Sequence, residues 1–292
     1  MKPRERALYS AIVDRPPLRL PGGLRLILWP VVNLEVWEIE RPMARQVLPA
    51  PMGAAVMPDI PNWSWHEYGM RVGVWRFFDA FDRFAIRPTL SINANVVHVY
   101  PRVADAARER RWEFMGHSLV QMPIHQVADQ RAMINQSLDT LETFVGRRPR
   151  GWLGPGLTET EETADLLAEA GVRYVGDWVH DDEPSDLLTR AGRLVTLPYT
   201  VELNDIPMMM VQHHRSEAFL ERARDQFDRL YSEGASRAKI LCFAIHPYIS
   251  GVPHRIKYLE AFIDYARGHR DVAFWTGGEI LDWYLKERPN AR

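Results

Sequence analysis

The chain has very little cysteine: Cys242 is the only one among 292 residues, so no disulfide can form within the chain. Because Cys242 lies in the apolar run LCFAI, we expect a buried and unreactive thiol. No stretch reaches the roughly 18 consecutive apolar residues that a membrane-spanning helix needs. The N-terminal stretch is charged and contains prolines, without the apolar centre of a secretory signal. We therefore expect a cytoplasmic protein with no membrane partner.

An excess of positive charge is also missing. The 36 basic and 38 acidic residues give a net charge of −2, and no basic run suggests a groove for a phosphate backbone, which argues against a nucleic acid partner. The chain lacks a Gly-x-Ser-x-Gly nucleophile elbow and a phosphate-binding glycine loop, so we expect no organic cofactor. His66 and Glu67 lack the second histidine of a zincin motif. With these mechanisms excluded, the sequence points to acid–base or metal-assisted chemistry by glutamate and histidine.

Apolar runs typical of strands alternate with amphipathic patterns typical of helices along most of the chain. Clear examples are the runs Leu24–Asn33, Trp112–Met115 and Ile240–His246 and the helical pattern Val127–Phe144. We count about seven or eight strands, and such alternation predicts parallel strands joined by helices. At this length it favours an α/β fold in the form of a distorted (β/α) barrel, in a single domain that comprises residues 1–292.

Three segments have more particular interpretations. Residues 1–23 are predicted to form an extended N-terminal arm, and residues 41–66 a long loop rich in proline and methionine. Long loops in compact domains often act as lids or subunit contacts. Thr158 and Glu161 have the spacing of a capping box, which predicts a helix from Thr158 to Ala170.

Four polar residues follow the ends of predicted strands: Glu35, His117, Asp177 and His246. In a barrel all of these ends open on the same face, so the four side chains would converge. Each residue alone is readily explained as a structural polar group, and His117 as a core histidine. Four together are more typical of an active site. A histidine titrates near neutral pH and can both give and take a proton.

Six segments of the chain carry a recognisable pattern: HEYGMRVGVWR (66–76), MGHSLVQ (115–121), PRGWLGPGLTETEETADLLAEAG (149–171), YVGDWVHDDEP (174–184), LPYTVELND (197–205) and AIHPYISGVPHR (244–255). With these segments the chain resembles the polysaccharide deacetylase (NodB-homology) superfamily, and more closely its allantoinase-like branch, which includes cyclic imide hydrolases. The resemblance implies a NodB-like barrel that hydrolyses C–N bonds other than peptide bonds. The branch implies a small-molecule substrate, namely a cyclic amide, imide or ureide, and a homo-oligomer, either a tetramer or a dimer.

The resemblance also implies roles for individual residues. Glu35, His117 and His246 are the candidate catalytic residues, with His246 protonating the leaving nitrogen or stabilising the tetrahedral intermediate. The candidate substrate-binding residues are Asn33, Glu67, Tyr68, Arg71, Gln121, Trp152, Asp177, Trp178 and Arg255. Solvated charges at a helix start would equally explain Glu67, Tyr68 and Arg71, and a structural salt bridge would equally explain Arg255.

The chain departs from the deacetylase pattern where that pattern binds its metal. Asn33 and Glu35 stand in place of two aspartates, Gln121 in place of the second histidine after His117, and Leu153 near the place of an orienting arginine. The candidate ligands of a divalent ion such as zinc are therefore Glu35, His117 and Gln121, whereas a catalytic zinc usually has three strong protein ligands. Binding of a metal stays open. An N-acetyl sugar deacetylase and an inactive barrel that serves as a binding protein are the alternative functions.

Overall fold

The computed structural model describes residues 1–50 and 53–289, which form one curled sheet of nine strands surrounded by helices. The strands are β1 (Leu26–Leu34), β2 (Thr89–Ile92), β3 (Glu113–Gly116), β4 (Gly151–Trp152), β5 (Tyr174–Val175), β6 (Ser185–Leu187), β7 (Leu194–Thr196), β8 (Lys239–Ile245) and β9 (Val272–Phe274). They are ordered β6-β7-β5-β4-β3-β2-β1-β8, and β9 pairs with β1. Pairing is parallel throughout except between β6 and β7.

The described residues also form ten helices. They are α1 (Pro3–Arg6), α2 (Ile60–Tyr68), α3 (Val74–Phe84), α4 (Val96–Val99), α5 (Pro101–Glu109), α6 (Gln130–Val145), α7 (Thr163–Glu169), α8 (Ala218–Glu233), α9 (Ile256–Arg267) and α10 (Gly277–Glu287). A π-helical segment, Gly69–Gly73, joins α2 to α3, and a second one covers Ile206–Val211. None of the helices within residues 1–50 and 53–289 is both long and apolar enough to span a membrane.

The central strand β1 is buried along its whole length, as its nearly continuous apolar sequence indicates. Its alternate residues Ile27, Trp29 and Val31 pack on the inner side of the curled sheet, together with Cys242 of β8. Pro30 cannot donate to a strand ladder, and it lies where β1 changes its neighbour from β9 to β2. Side chains alternate between the two sides of a strand, so every second residue after Val31 also faces the inner side of the sheet.

The sheet is a half-barrel, because β7 and β8 do not pair with each other. A single bridge between Asn204 and Ala244 spans the gap, and the amide of Ala244 donates to the carbonyl of Leu203 at 3.0 Å. The predicted α/β fold with a curled parallel sheet is confirmed. The antiparallel strand β6 was not predicted, since its three residues carry too short a pattern to distinguish from a loop.

Three local predictions need correction. Helix α2 begins at Ile60, where the Asp59 side chain accepts from the amide of Asn62, so the irregular part of segment 41–66 ends at Asp59. The N-terminal arm contains the short helix α1 and is anchored by buried Arg6, whose guanidinium lies 2.9 Å from the Asp165 carboxylate. Helix α7 begins at Thr163, not at Thr158. Thr158 instead accepts from the amide of Ile124 at 2.9 Å and donates to the carbonyl of Pro155 at 2.8 Å.

Candidate active site

A cavity of about 440 Å³ opens beyond the carboxyl ends of β1, β3 and β8. Five of the residues expected to form the site line it: Asn33, Glu35, His117, Gln121 and His246. The positions of three of them follow from the alternation of a strand, because Val31, Met115 and Ala244 face the inner side of the sheet. The residues two further along, Asn33, His117 and His246, therefore face the same side.

Glu35 is the centre of the polar cluster in this cavity, and only 5% of it is exposed. Its Oε2 accepts hydrogen bonds from Trp37 Nε1 at 3.1 Å and from the Tyr248 hydroxyl at 3.0 Å. Its Oε1 lies 3.9 Å from His117 Nε2 and 3.6 Å from His246 Nε2. Burial alone would raise the pKa of Glu35, but the positive charge of His246 and the contacts of both histidines hold that pKa far below its usual range. Glu35 is therefore ionised.

His246 is held by a buried aspartate. Its Nδ1 donates to Asp205 Oδ1 at 2.6 Å, and its backbone amide donates to Asp205 Oδ2 at 2.8 Å. The Ser250 hydroxyl donates to the same Oδ2 at 2.7 Å. Burial lowers the pKa of His246, but the charges of Asp205 and then Glu35 outweigh burial and raise it to about 9. At neutral pH His246 is therefore an imidazolium that points its Nε2–H toward Glu35.

His117 is oriented differently. Its Nδ1 lies 2.5 Å from the carbonyl oxygen of Leu153. A carbonyl only accepts, so the proton is on Nδ1, and Nε2 carries a lone pair when the ring is neutral. Gly116 lets β3 end close to β4, since a Cβ there would lie 2.7 Å from the Trp152 ring. The two histidines therefore present opposite properties to Glu35, one a proton donor and the other a proton acceptor.

Tyr199 supplies a hydroxyl group to the cavity wall. Its oxygen receives the side-chain amides of Asn33 at 3.5 Å and Asn204 at 3.4 Å, both long hydrogen bonds. Because the oxygen accepts both amides, the hydroxyl hydrogen is free to donate into the cavity. Burial raises the pKa of Tyr199 well above its usual value, so the hydroxyl stays protonated.

Four of the expected substrate-binding residues do not line the cavity. Glu67 accepts from the Tyr100 hydroxyl, and Arg71 is mostly exposed to solvent. The Tyr68 hydroxyl accepts from Arg76 at 2.8 Å. Arg255 Nε donates to the Ser216 hydroxyl at 3.3 Å. These side chains make structural or surface contacts.

Two glycines in the same segment (66–76), Gly69 and Gly73, allow it to pack closely against the backbone of the site. A Cβ on Gly69 would lie 2.7 Å from the amide nitrogen of Tyr248, and one on Gly73 would collide with the carbonyl oxygen of Pro247. The α2–α3 segment thus packs directly on the backbone that carries His246 and Tyr248. The segment therefore fixes the position of this backbone beside the cavity.

Three further expected residues lie behind the cavity wall. Trp152 is fully buried in the core. Asp177 Oδ1 accepts from the amide of Gly154 at 2.7 Å. Trp178 Nε1 donates to Glu159 Oε1 at 3.2 Å. Asp177 follows β5 as expected, but it supports the Gly154–Thr158 wall from the rear.

The residues at the expected metal position do not fit a complete zinc site. Glu35 and His117 are strong ligands, but Gln121 offers a neutral amide oxygen, which has no hydrogen-bond partner among the described residues. Within residues 1–50 and 53–289 there is no group of three His, Cys, Asp or Glu side chains that could hold a metal ion. The donor set is therefore one strong ligand short of the usual three.

Sequence reasoning missed five side chains that shape the site: Trp37, Arg45, Tyr199, Asp205 and Tyr248. Arg45 is the one arginine or lysine in the cavity lining among the described residues. Trp37 and Tyr248 each lie two positions after a catalytic candidate, Glu35 and His246, and that spacing is the signal that could have found them. Arg45 comes from the irregular loop, where no pattern indicates which side chain turns inward.

Comparisons with known proteins agree with the architecture. No protein-family model matches the chain. The crystal structure of PuuE allantoinase is 27% identical, covers 96% of this chain and 97% of its own, and has a TM-score of 0.84. A Pseudomonas aeruginosa PAO1 protein assigned to the polysaccharide deacetylases is 29% identical, with coverage of 94% and 96% and a TM-score of 0.83.

A relative of known activity matches in sequence as well. The peptidoglycan deacetylase of Helicobacter pylori is 23% identical over 258 residues, which cover 76% of this chain and 86% of that protein. Deacetylases and allantoinases are hydrolases of C–N bonds other than peptide bonds. The homologues of this chain, in sequence and in structure, are therefore polysaccharide deacetylases with the NodB fold, together with PuuE allantoinase.

Proposed function

We propose that the protein hydrolyses a C–N bond in a small cyclic amide, imide or ureide. The observation that carries this proposal is the placement of Glu35 between a protonated histidine and one whose Nε2 is free to accept, in a cavity of about 440 Å³. That volume lies within the usual range of small-molecule sites, about 300–1,000 Å³. Glu35 and the two histidines are buried, so their charges act at low dielectric.

In the proposed first step, His117 Nε2 takes a proton from a water molecule as the water oxygen bonds to the substrate carbonyl carbon. The carboxylate of Glu35, 3.9 Å from this nitrogen, balances the imidazolium charge that forms. Because the pKa of Glu35 is low, its carboxylate is a poor base and stays negatively charged. It therefore orients the water and stabilises charge, and His117 receives the proton.

The tetrahedral intermediate carries negative charge on the former carbonyl oxygen, and Tyr199 supports it. Its hydroxyl is fixed by two amide donors and has its own hydrogen free. A preorganised donor of this kind is aimed at the charge before the charge develops.

In the second step the C–N bond breaks and the leaving nitrogen takes the Nε2 proton of His246. One water has then been added: the carbonyl carbon becomes a carboxyl group and the nitrogen gains a hydrogen. His246 ends neutral and His117 ends protonated. Glu35 lies between them, at 3.6 and 3.9 Å, and offers a route for returning the proton. No step in this scheme uses a metal ion, because the donor set lacks a third strong ligand.

The cavity wall supports a small substrate rather than a polymer. Ala44 and Arg45 of the irregular loop line the cavity together with Trp37 and the Gly154–Thr158 segment. The Arg45 guanidinium can pair with a carboxylate or a second carbonyl on the substrate. A cyclic imide or ureide carries such additional oxygens beside the reacting amide.

Turnover of a substrate panel tests the proposal. Purified protein would be assayed in a pH-stat with allantoin, hydantoin, dihydrouracil and succinimide, and for acetate release from N-acetylglucosamine oligomers. We expect acid production from a cyclic substrate. His246→Gln should abolish it, and His98→Gln, on the surface helix α4, should leave it intact. Acetate release alone would favour an N-acetyl sugar deacetylase. Absence of turnover on the whole panel would favour a binding protein.

A further inference from the structure

We infer that Asp177 is a positioning residue that orients His117 through the peptide group between Leu153 and Gly154. This inference rests on the proposed function, in which His117 accepts a proton at Nε2. It assigns to Asp177 a role that neither direct substrate binding nor metal binding describes.

The geometry forms one continuous chain of contacts. Asp177 Oδ1 accepts from the amide nitrogen of Gly154 at 2.7 Å. The carbonyl of Leu153, 2.5 Å from His117 Nδ1, belongs to the same peptide group as that amide. A peptide group is planar and stiff, and its N–H and C=O point in opposite directions when it is trans. Fixing the N–H therefore fixes the direction of the oxygen that holds His117.

Contacts on both sides hold this part of the cavity wall in place. Leu153 is anchored on its own amide side, which donates to the carbonyl of Gly116 at 2.9 Å. A Cβ on Gly154 would lie 2.4 Å from the Thr158 carbonyl oxygen and 3.4 Å from Asp177 Oδ1. Only glycine fits this close to the Thr158 carbonyl. On the other side of the peptide group, the Asp177 carboxyl accepts from the Gly154 amide and completes its orientation.

Asp177 can serve as this acceptor over a wide pH range. The carboxyl of Glu159, which Trp178 contacts, lies beside it. Burial and then the neighbouring charge of Glu159 raise the pKa of Asp177 well above its usual value. A carboxyl oxygen can accept in either protonation state, so Oδ1 accepts from Gly154 whether or not Asp177 is ionised. The consequence is that asparagine, which keeps an oxygen acceptor without charge, should replace aspartate here.

The orientation matters because it fixes the tautomer of His117. With Nδ1–H directed at the Leu153 carbonyl, the Nε2 lone pair faces Glu35 and an incoming water. If the peptide rotated, the ring would lose its acceptor and the proton could move to Nε2. Removal of a partner that orients a metal-bound histidine costs about 10- to 100-fold in activity, and we expect a similar loss here.

Two substitutions at one position separate orientation from charge. In Asp177→Ala the acceptor is lost, and kcat should fall about 10- to 100-fold while KM changes little. Asp177→Asn should stay within a few-fold of the wild-type kcat. Asp165→Ala is the matched control, because it removes another buried aspartate, the partner of Arg6, away from the cavity. It should destabilise the fold without changing kcat.

A second measurement is independent of turnover. In protein with ¹⁵N-labelled histidine, the Nδ1–H resonance of His117 is assigned by its loss in His117→Gln. We expect a strongly hydrogen-bonded resonance in wild type and Asp177→Asn, and its loss or upfield movement in Asp177→Ala. An unchanged resonance in Asp177→Ala would overturn the inference, as would an Asp177→Asn enzyme as impaired as Asp177→Ala. If the substrate panel failed altogether, the resonance alone would still decide the matter.

Discussion

Replacement of Asp205 by asparagine should remove the negative charge that helps to keep His246 protonated. The Asp205 carboxylate touches Nδ1 of His246 at 2.6 Å and its backbone amide at 2.8 Å, and it is fully buried. Asparagine has nearly the same shape and keeps an oxygen acceptor, so the loop should hold its place. The substitution removes the negative charge together with one of the two acceptor oxygens, which receive His246 and Ser250. In the proposed mechanism this weakens the acid that protonates the leaving nitrogen.

The size of the effect follows from the pKa of His246, which is about 9 against an ordinary 6.5. That difference corresponds to about 3 kcal/mol in favour of the protonated ring. Burial opposes protonation, and the charge of Asp205 is the first of those that outweigh burial, ahead of Glu35. We expect the substitution to lower the pKa by about one to two units, so the protonated fraction at pH 9 falls roughly 5- to 50-fold.

The assay is the pH dependence of kcat/KM for the best cyclic substrate, which reports the free enzyme. The protonated form of His246 is lost as pH rises through its pKa, so the wild-type rate should fall near pH 9. In Asp205→Asn this alkaline decline should move to lower pH, while the rates near pH 6 stay similar. If the decline occurred at the same pH in both enzymes, either His246 would not be the acid or Asp205 would not set its pKa.

The same substitution makes a prediction about folding. Because the pKa of His246 is raised in the folded protein, its protonation stabilises the fold fully below about pH 6.5, and this contribution is lost as pH rises to about 9. Wild-type Tm should therefore decline over that interval more than the Tm of Asp205→Asn. Asp165→Asn, which alters another buried aspartate away from His246, should keep the wild-type pH dependence.

Further perturbations address the rest of the site and the assembly. Tyr199→Phe removes the hydroxyl donor and should lower kcat about 100-fold with little change in KM, measured by steady-state kinetics. Arg45→Gln should raise KM for a substrate that carries a carboxylate more than for a neutral one, whereas Arg83→Gln on the surface should change neither. Dialysis against a chelator should preserve turnover, and restoration by added zinc would contradict the metal-free scheme. We expect light scattering to detect a dimer or tetramer. Ile60→Asp, at an apolar position that is 57% exposed, should dissociate this oligomer. Leu8→Asp, at an apolar position that is 64% exposed, is the control and should leave it intact.

The positions of Glu35, His117 and His246 could be predicted from the sequence because the relevant information is local. Each follows an apolar strand, and parallel strands of one sheet open at the same edge. Alternation then places all three on the inner side, continuing from Val31, Met115 and Ala244. Short-range patterns in the sequence were therefore sufficient to predict that these three side chains lie close together.

Other parts of the site depend on contacts that no local pattern specifies. Asp177 also follows a strand, yet it turns toward the Gly154 amide, 23 residues away in sequence. Thr158 has the spacing of a helix cap, but the bonds to Ile124 and Pro155 compete successfully for its hydroxyl. Tyr199 gains its role from amides on two other segments. In each case at least one partner lies more than 20 residues away along the chain, and the chemical type of the residue leaves the direction of its side chain undetermined.

Two residues that depart from the deacetylase pattern make contacts with other residues of the site. Asn33, in place of an aspartate, donates to the Tyr199 hydroxyl. Leu153, near the place of an arginine, contributes its backbone carbonyl to His117. A buried carboxylate is costly unless it is paired and hydrogen-bonded. Glu35 meets that condition, because it has two hydrogen-bond donors and two histidines around it. This arrangement of an ionised carboxylate between two histidines supports the metal-free mechanism proposed above.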